Sequence, residues 1–101
     1  QGFKGTDVKF IGGGYTDREH AAWLCTVAVE DREGLQRKLR DNNIESGQVH
    51  YRNDRYSIFK DSRGNFPNMD AIDDKYLVLP LHTKMSLADV EKILSVIKSG
   101  W

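Results

Sequence analysis

The sequence predicts an α+β fold, a two-layer sandwich in which helices cover one face of a small sheet. Three observations carry that expectation. Residues 22–30 are rich in β-branched and aromatic side chains and apolar on both faces, as a central strand requires. Leu87, Val90, Ile93, Leu94 and Ile97 keep the spacing of one buried helical stripe. Strand and helix signals alternate along 101 residues, a length that sustains one hydrophobic core and not two.

The elements follow in chain order. Residues 8–11, Val-Lys-Phe-Ile, interrupt a polar, glycine-rich start and predict a short edge strand. Gly12-Gly13-Gly14 lacks the Gly-Lys-Ser/Thr ending of a phosphate loop and the spaced glycines of a dinucleotide loop, so it reads as a turn. After the strand at 22–30, Asp31 is a good N-cap, and residues 32–42 read as a helix with Leu35 and Leu39 one turn apart. Asn42-Asn43 stops it. Gly47 leads into a second, short strand at 48–51. Residues 52–67 have no sustained period and include the turn composition Asp-Ser-Arg-Gly-Asn at 61–65, predicting a long surface loop with one helical turn around 56–59. Asn68 then caps a short helix through Asp74, and residues 76–80 make a third strand. Ser86 with Asp89 forms a capping-box start to the last helix, and Gly100 sits where its C-terminal cap belongs.

The chain divides at residue 21. No methionine precedes Met69, and Gln1-Gly2 resembles the remnant of a cleavable tag, so residues 1–21 read as tag remnant plus a glycine-rich N-terminal segment, and residues 22–101 as the domain proper. A piece of a larger protein is expected.

Fifteen basic residues balance fifteen acidic ones, leaving no global field to recruit nucleic acid or an anionic membrane. The aromatic-rich glycine motif of RNA-recognition folds is missing as well. The longest apolar run, 76–81, is far too short to cross a bilayer, and no signal sequence is visible, so the expected location is cytoplasmic. Cys25 is the only cysteine, which excludes an internal disulfide and predicts a buried, inert thiol. His20, His50 and His82 lie in separate segments without ligand spacing, and no metal is expected.

One stretch concentrates polar chemistry. "QVHYRNDRYSIF", residues 48–59, brings His50, Arg52, Asn53, Asp54 and Arg55 together with Tyr51 and Tyr56. Two guanidiniums flanking an Asn-Asp pair can converge on a phosphate or carboxylate, and the tyrosines offer flat faces to a base or sugar. Equally, Asp54 can simply pair with Arg52 or Arg55 in a solvated loop, and composition does not separate the two readings. His50 and Asp54 could belong to an acid–base relay, but no serine or cysteine nucleophile is placed beside them, so no catalytic residue is assigned.

Three segments taken together, "WLCTVAVEDREGLQRKLRDNNIES", "QVHYRNDRYSIF" and "LVLPLHTKMSLADVEKIL", resemble the C-terminal domain of the DegT/DnrJ/EryC1/StrS nucleotide-sugar aminotransferases, over residues 23–97. The resemblance implies the small domain of the aspartate-aminotransferase fold. Members of that family are dimeric and use pyridoxal phosphate to move an amino group from glutamate to a keto-sugar carried on a nucleoside diphosphate. Their large N-terminal domain holds the Schiff-base lysine, and no lysine here sits in that motif. The resemblance therefore implies a chain that is not catalytic alone, with the cofactor, the missing large domain and a homodimer belonging to the parent enzyme. Carried over residue by residue, the substrate-binding positions are His50, Tyr51, Arg52, Asn53, Asp54 and Arg55. His82 also matches a family position, with holding the turn before the last helix as its other role. The function implied is the substrate-binding small domain of an aminotransferase acting on a nucleotide-linked keto-sugar. The alternative is a stand-alone ligand-binding or regulatory α+β module.

Overall fold

The computed structural model describes every residue except Gln1 and Arg63, so the first residue of the suggested tag remnant and the middle of the turn at 61–65 lie outside the described residues. Three strands, β1 (Lys9–Phe10), β2 (Cys25–Ala28) and β3 (Tyr76–Leu79), form an antiparallel sheet in the order β1-β2-β3. Cys25 faces Leu79 and Val27 faces Leu77 across the central pair. Because side chains alternate along a strand, these four share one face. Helices α1 (Arg32–Asp41) and α3 (Leu87–Lys98) pack together over it. Leu35 and Leu39 of α1 and Ile93 and Ile97 of α3 join Val27, Leu77 and Leu79 in one core. This is the expected two-layer α+β sandwich.

Each helix end is set by local chemistry. The Asp31 carboxylate accepts the Gly34 N–H (2.9 Å) and opens α1. At the other end Asn43 takes a left-handed φ of 58°, so the Asn43 N–H reaches the Arg40 carbonyl and the Ile44 N–H the Leu39 carbonyl, each at 2.9 Å. That is a Schellman ending, with Ile44 and Leu39 both buried in the core beneath it. The reciprocal box at the start of α3 has the Asp89 N–H donating to Ser86 Oγ (3.2 Å) and the Ser86 N–H to Asp89 Oδ2 (2.8 Å). Hydrogen bonds from the Ser86 side chain and backbone hold the Asp89 carboxyl below its ordinary value.

Four expectations are corrected. The strand at 22–30 shrinks to Cys25–Ala28, because Ala22 turns the chain with a φ of 53°. No strand forms at 48–51. Val49 sits at φ 58° and the His50 N–H bonds back to the Gln48 carbonyl (2.7 Å), leaving an isolated bridge between Gly47 and Val78 as the only ladder contact there. Such a tight turn on a β-branched residue leaves no sequence signal. The short helix, α2 (Pro67–Ile72), begins at proline with Phe66 in the cap position, not at Asn68. Pro67 fits the first helical position because its missing N–H would be unpaired there anyway. Finally, only the second half of the α3 stripe is buried: Leu87 is 75% exposed and Val90 is also exposed. A four-residue strand runs about 13 Å and a twelve-residue helix about 18 Å, so the first turn of α3 overhangs the sheet.

Two predictions follow from this packing. Leu39→Ala should cost about 2–5 kcal/mol in urea unfolding, whereas Leu87→Ala should stay within about 0.5 kcal/mol; equal losses would place the core wrongly. Ser86→Ala should cost about 1 kcal/mol at neutral pH. The folded-state pKa of Asp89 is depressed, so the box stabilises above the ordinary 3.8 and its contribution is lost as pH falls through the lower folded value. The gap between parent and Ser86→Ala unfolding curves should narrow over that acid range without closing, because the Asp89 N–H to Ser86 Oγ bond does not titrate.

Candidate functional site

The polar stretch leaves β3's open edge through the Gly47 bridge, turns at Val49, and winds through two 3-10 segments, Asn53–Arg55 and Ser57–Ser62, before α2. It surrounds a groove of about 710 Å³ lined by Val49, His50, Tyr51, Arg52, Asn53, Asp54, Tyr56, Phe66 and Met69. Five of the six residues singled out in the sequence line it. Arg55 does not.

Arg52 organises this corner. Its side chain is only 9% exposed, and its guanidinium grips Asp54 with two bonds, Nε to Oδ1 (2.6 Å) and Nη2 to Oδ2 (2.7 Å). Nη1 reaches Asp70 Oδ1 at 2.5 Å and lies 4.0 Å from Asp73 Oδ2. Hydrogen bonds to Asp54 and then Asp70 raise the Arg52 pKa further above its ordinary value. The Arg55 side chain is exposed and pairs with Asp73, whose own side chain is buried. Two guanidiniums thus meet three carboxylates. The pairing of Asp54 with Arg52, one of the two readings the composition left open, is present.

The remaining residues are displayed outward. His50 lies with its ring 5.9 Å from that of Trp23, and its carbonyl accepts the Tyr76 hydroxyl. Tyr51, Asn53 and Tyr56 are exposed, and the Asn53 carbonyl accepts the Tyr56 N–H (3.1 Å) to close the 3-10 turn. Sequence reasoning missed Trp23, which it placed inside a strand and which is 76% exposed beside His50. It also missed Gln48, Asp70, Asp73 and Tyr76 as supports of the loop. Their partners lie 18 to 28 residues away in sequence, beyond the reach of any local pattern.

The other candidates are local. His82 Nδ1 accepts the Lys84 N–H (3.3 Å) in the turn after β3, and the His20 ring packs at a tilt against Phe10 while its Nδ1 accepts the Ala22 N–H (2.8 Å). Among the described residues no three His, Cys, Asp or Glu side chains converge for a metal, and no helix is long and apolar enough to cross a membrane. Burial raises the Cys25 thiol above its ordinary value, in keeping with an inert side chain. Gly12 and Gly14 adopt φ of 89° and 82°, the left-handed conformations of a turn.

The sequence model of the DegT/DnrJ/EryC1/StrS aminotransferase family matches residues 1–98. The chain belongs to this family. It is similar to the crystal structure of AtS13 from Actinomadura melliaura (29% identity, TM-score 0.91) and to that of the sugar aminotransferase CalS13 from Micromonospora echinospora (31% identity, TM-score 0.91). Each match covers 99% of this chain and 27% of the other. The aminotransferase TlmJ from Streptoalloteichus hindustanus, 18% identical with a TM-score of 0.84, shares the fold over 97% of this chain and 27% of its own. A comparison with curated protein sequences finds no match. The chain therefore spans about a quarter of the length of these proteins.

Aminotransferases of this family generally depend on pyridoxal phosphate. The lysines of this chain do not fit that group. None of the described ones is buried, and Lys75, bonded to Glu30 (3.0 Å), has its pKa raised, opposite to what a Schiff-base amine needs.

The loop also carries apolar surface. Val49, Tyr51, Tyr56, Phe59 and Phe66 are exposed, and Ile58 is 82% exposed. Apolar side chains concentrated in this way favour association. In sedimentation velocity the isolated chain should self-associate with rising concentration, and Ile58→Lys should weaken this. A strictly monomeric chain at all concentrations would favour the stand-alone module.

Proposed function

We propose that residues 22–101 are the C-terminal small domain of a pyridoxal-phosphate-dependent aminotransferase acting on a nucleotide-linked keto-sugar, with β1 contributed by the preceding segment. The observation that supports this reading is the match of 99% of the chain to the sugar aminotransferase CalS13 at 31% identity, over only 27% of that protein's length. In this reading the lysine, the cofactor site and the catalytic step belong to a large domain outside these residues, the enzyme is a cytoplasmic homodimer, and this chain closes the sugar side of the cleft.

The six loop residues then divide by their surroundings. His50, Tyr51 and Asn53 stand at the groove with exposed side chains and offer hydrogen bonds and a flat face to the nucleotide-sugar. Arg55 does not line the groove; its exposed guanidinium meets the diphosphate where that group extends past the lining, exchanging part of its pairing with Asp73. Arg52 and Asp54 satisfy each other and hold the turn on which the other four are displayed. This arrangement binds and orients the acceptor; it moves no proton itself.

The reading is tested in the enzyme that carries this chain. Tyr51→Ala and Arg55→Ala should each raise the KM for the nucleotide-linked keto-sugar by about tenfold or more, the scale of one lost charge-assisted or stacking contact. The half-reaction with glutamate should be unchanged, because the amino donor does not meet this loop. Arg55→Lys should recover part of the loss, keeping charge without the planar fork. Parental KM values in both alanine variants would refute the assignment.

A further inference from the structure

We propose that Asp73, which lies outside the groove, is a positioning residue that fixes the turn at Val49 and so aims His50 and Tyr51 into the candidate site. The functional half of this inference rests on the substrate reading above; the structural half does not.

A β-branched residue at φ 58° persists only where its surroundings over-determine it. The chain on both sides of Val49 converges on Asp73. Before the turn, Gln48 Nε2 reaches the Asp73 carbonyl (3.4 Å) and carboxylate (3.5 Å), and also bonds the Tyr76 hydroxyl (2.7 Å). That same hydroxyl donates to the His50 carbonyl. After the turn, Arg55 pairs with the Asp73 carboxylate and Arg52 stands 4.0 Å from it. The anchor is itself anchored: Arg32 of α1 donates Nη1 to the Asp73 carbonyl at 2.7 Å, tying the end of α2 to the helical layer. With its side chain 7% exposed, the carboxylate is out of water and takes its hydrogen bonds from these donors. Arg52 keeps Asp54 and Asp70 when Asp73 is removed, so the loss of Asp73 loosens the turn without dismantling the whole corner.

The test uses the full-length protein, in two arms. In hydrogen exchange, Asp73→Ala should accelerate the amides of residues 48–56 by about tenfold or more relative to the parent, while α1 and α3 keep their protection. Gln48→Leu, which cuts the bonds to Asp73 and to the Tyr76 hydroxyl before the turn and leaves the arginine–carboxylate pairs in place, should do the same and guards against a variant that fails to fold. In kinetics, both variants should raise the KM for the nucleotide-linked keto-sugar with the glutamate half-reaction unchanged, and Asp73→Glu should recover part of the loss. Unchanged exchange at 48–56 in both variants overturns the positioning role whatever the loop binds. Loss of protection throughout α1 and α3 in both overturns it too, since Asp73 would then hold the fold and not the turn. Local acceleration with an unchanged KM upholds the positioning of the loop and overturns the substrate reading.

Discussion

The Arg52 guanidinium, held between Asp54 and Asp70 and close to Asp73, is the interaction on which the irregular third of this chain depends. Between the end of α1 and the start of β3, the described residues of 42–75 hold the six-residue helix α2, two 3-10 turns and a single bridge to the sheet. Backbone pairing alone leaves such a segment without a fixed place, and its exposed aromatics contribute little burial to offset the entropy of ordering it. A planar fork that bonds the nearby Asp54 and, 18 residues further on, Asp70 does what a ladder does elsewhere, with direction as well as attraction. Three acidic groups at one corner would repel each other, so the two arginines are required for the corner to close. The regular layer needs none of this. Its strands and helices are held by Val27, Leu35, Leu39, Leu77 and Ile97, all almost fully buried.

That division explains what was legible in the sequence. The caps of α1 and α3, the position of β3 and the edge strand at Lys9–Phe10 are encoded within a few residues, in side chains whose local hydrogen bonds or periodicity have one good solution. The strand at 48–51 failed for the opposite reason. Gln48, Val49, His50 and Tyr51 have strand-like composition, but the turn at Val49 is imposed by Asp73 and Tyr76, which are 24 and 27 residues further on. Trp23 was misplaced in the same way, because the left-handed Ala22 ends the extended run before it.

The candidate site was legible as a location and not as a geometry. Clustering of His50, Tyr51, Arg52, Asn53, Asp54 and Arg55 marked the loop, and the structure brings all but Arg55 of these six to one groove. What composition could not assign was which charges are spent internally. Arg52 and Arg55 are two positions either side of the same turn, yet one is nearly buried against Asp54 and the other is exposed and paired with Asp73. The carboxylates that make the difference lie in α2 and just beyond it, where the sequence reads only as a short polar helix.

Pre-payment of charge and order suits a surface that is completed by something else. A loop whose arginines waited unpaired for an anion would be ordered only on binding, and the ordering cost would be taken from affinity. Here the fork of Arg52 is already engaged, so the exposed rings of Tyr51 and Tyr56 are carried on a backbone that is fixed beforehand. Aromatic side chains lose few rotatable bonds when covered and offer both an apolar body and a polar tip. A surface built this way is stable in water because its charges are neutralised within it, and adhesive because its rings are not, which is the combination expected where one domain meets another across a polar ligand.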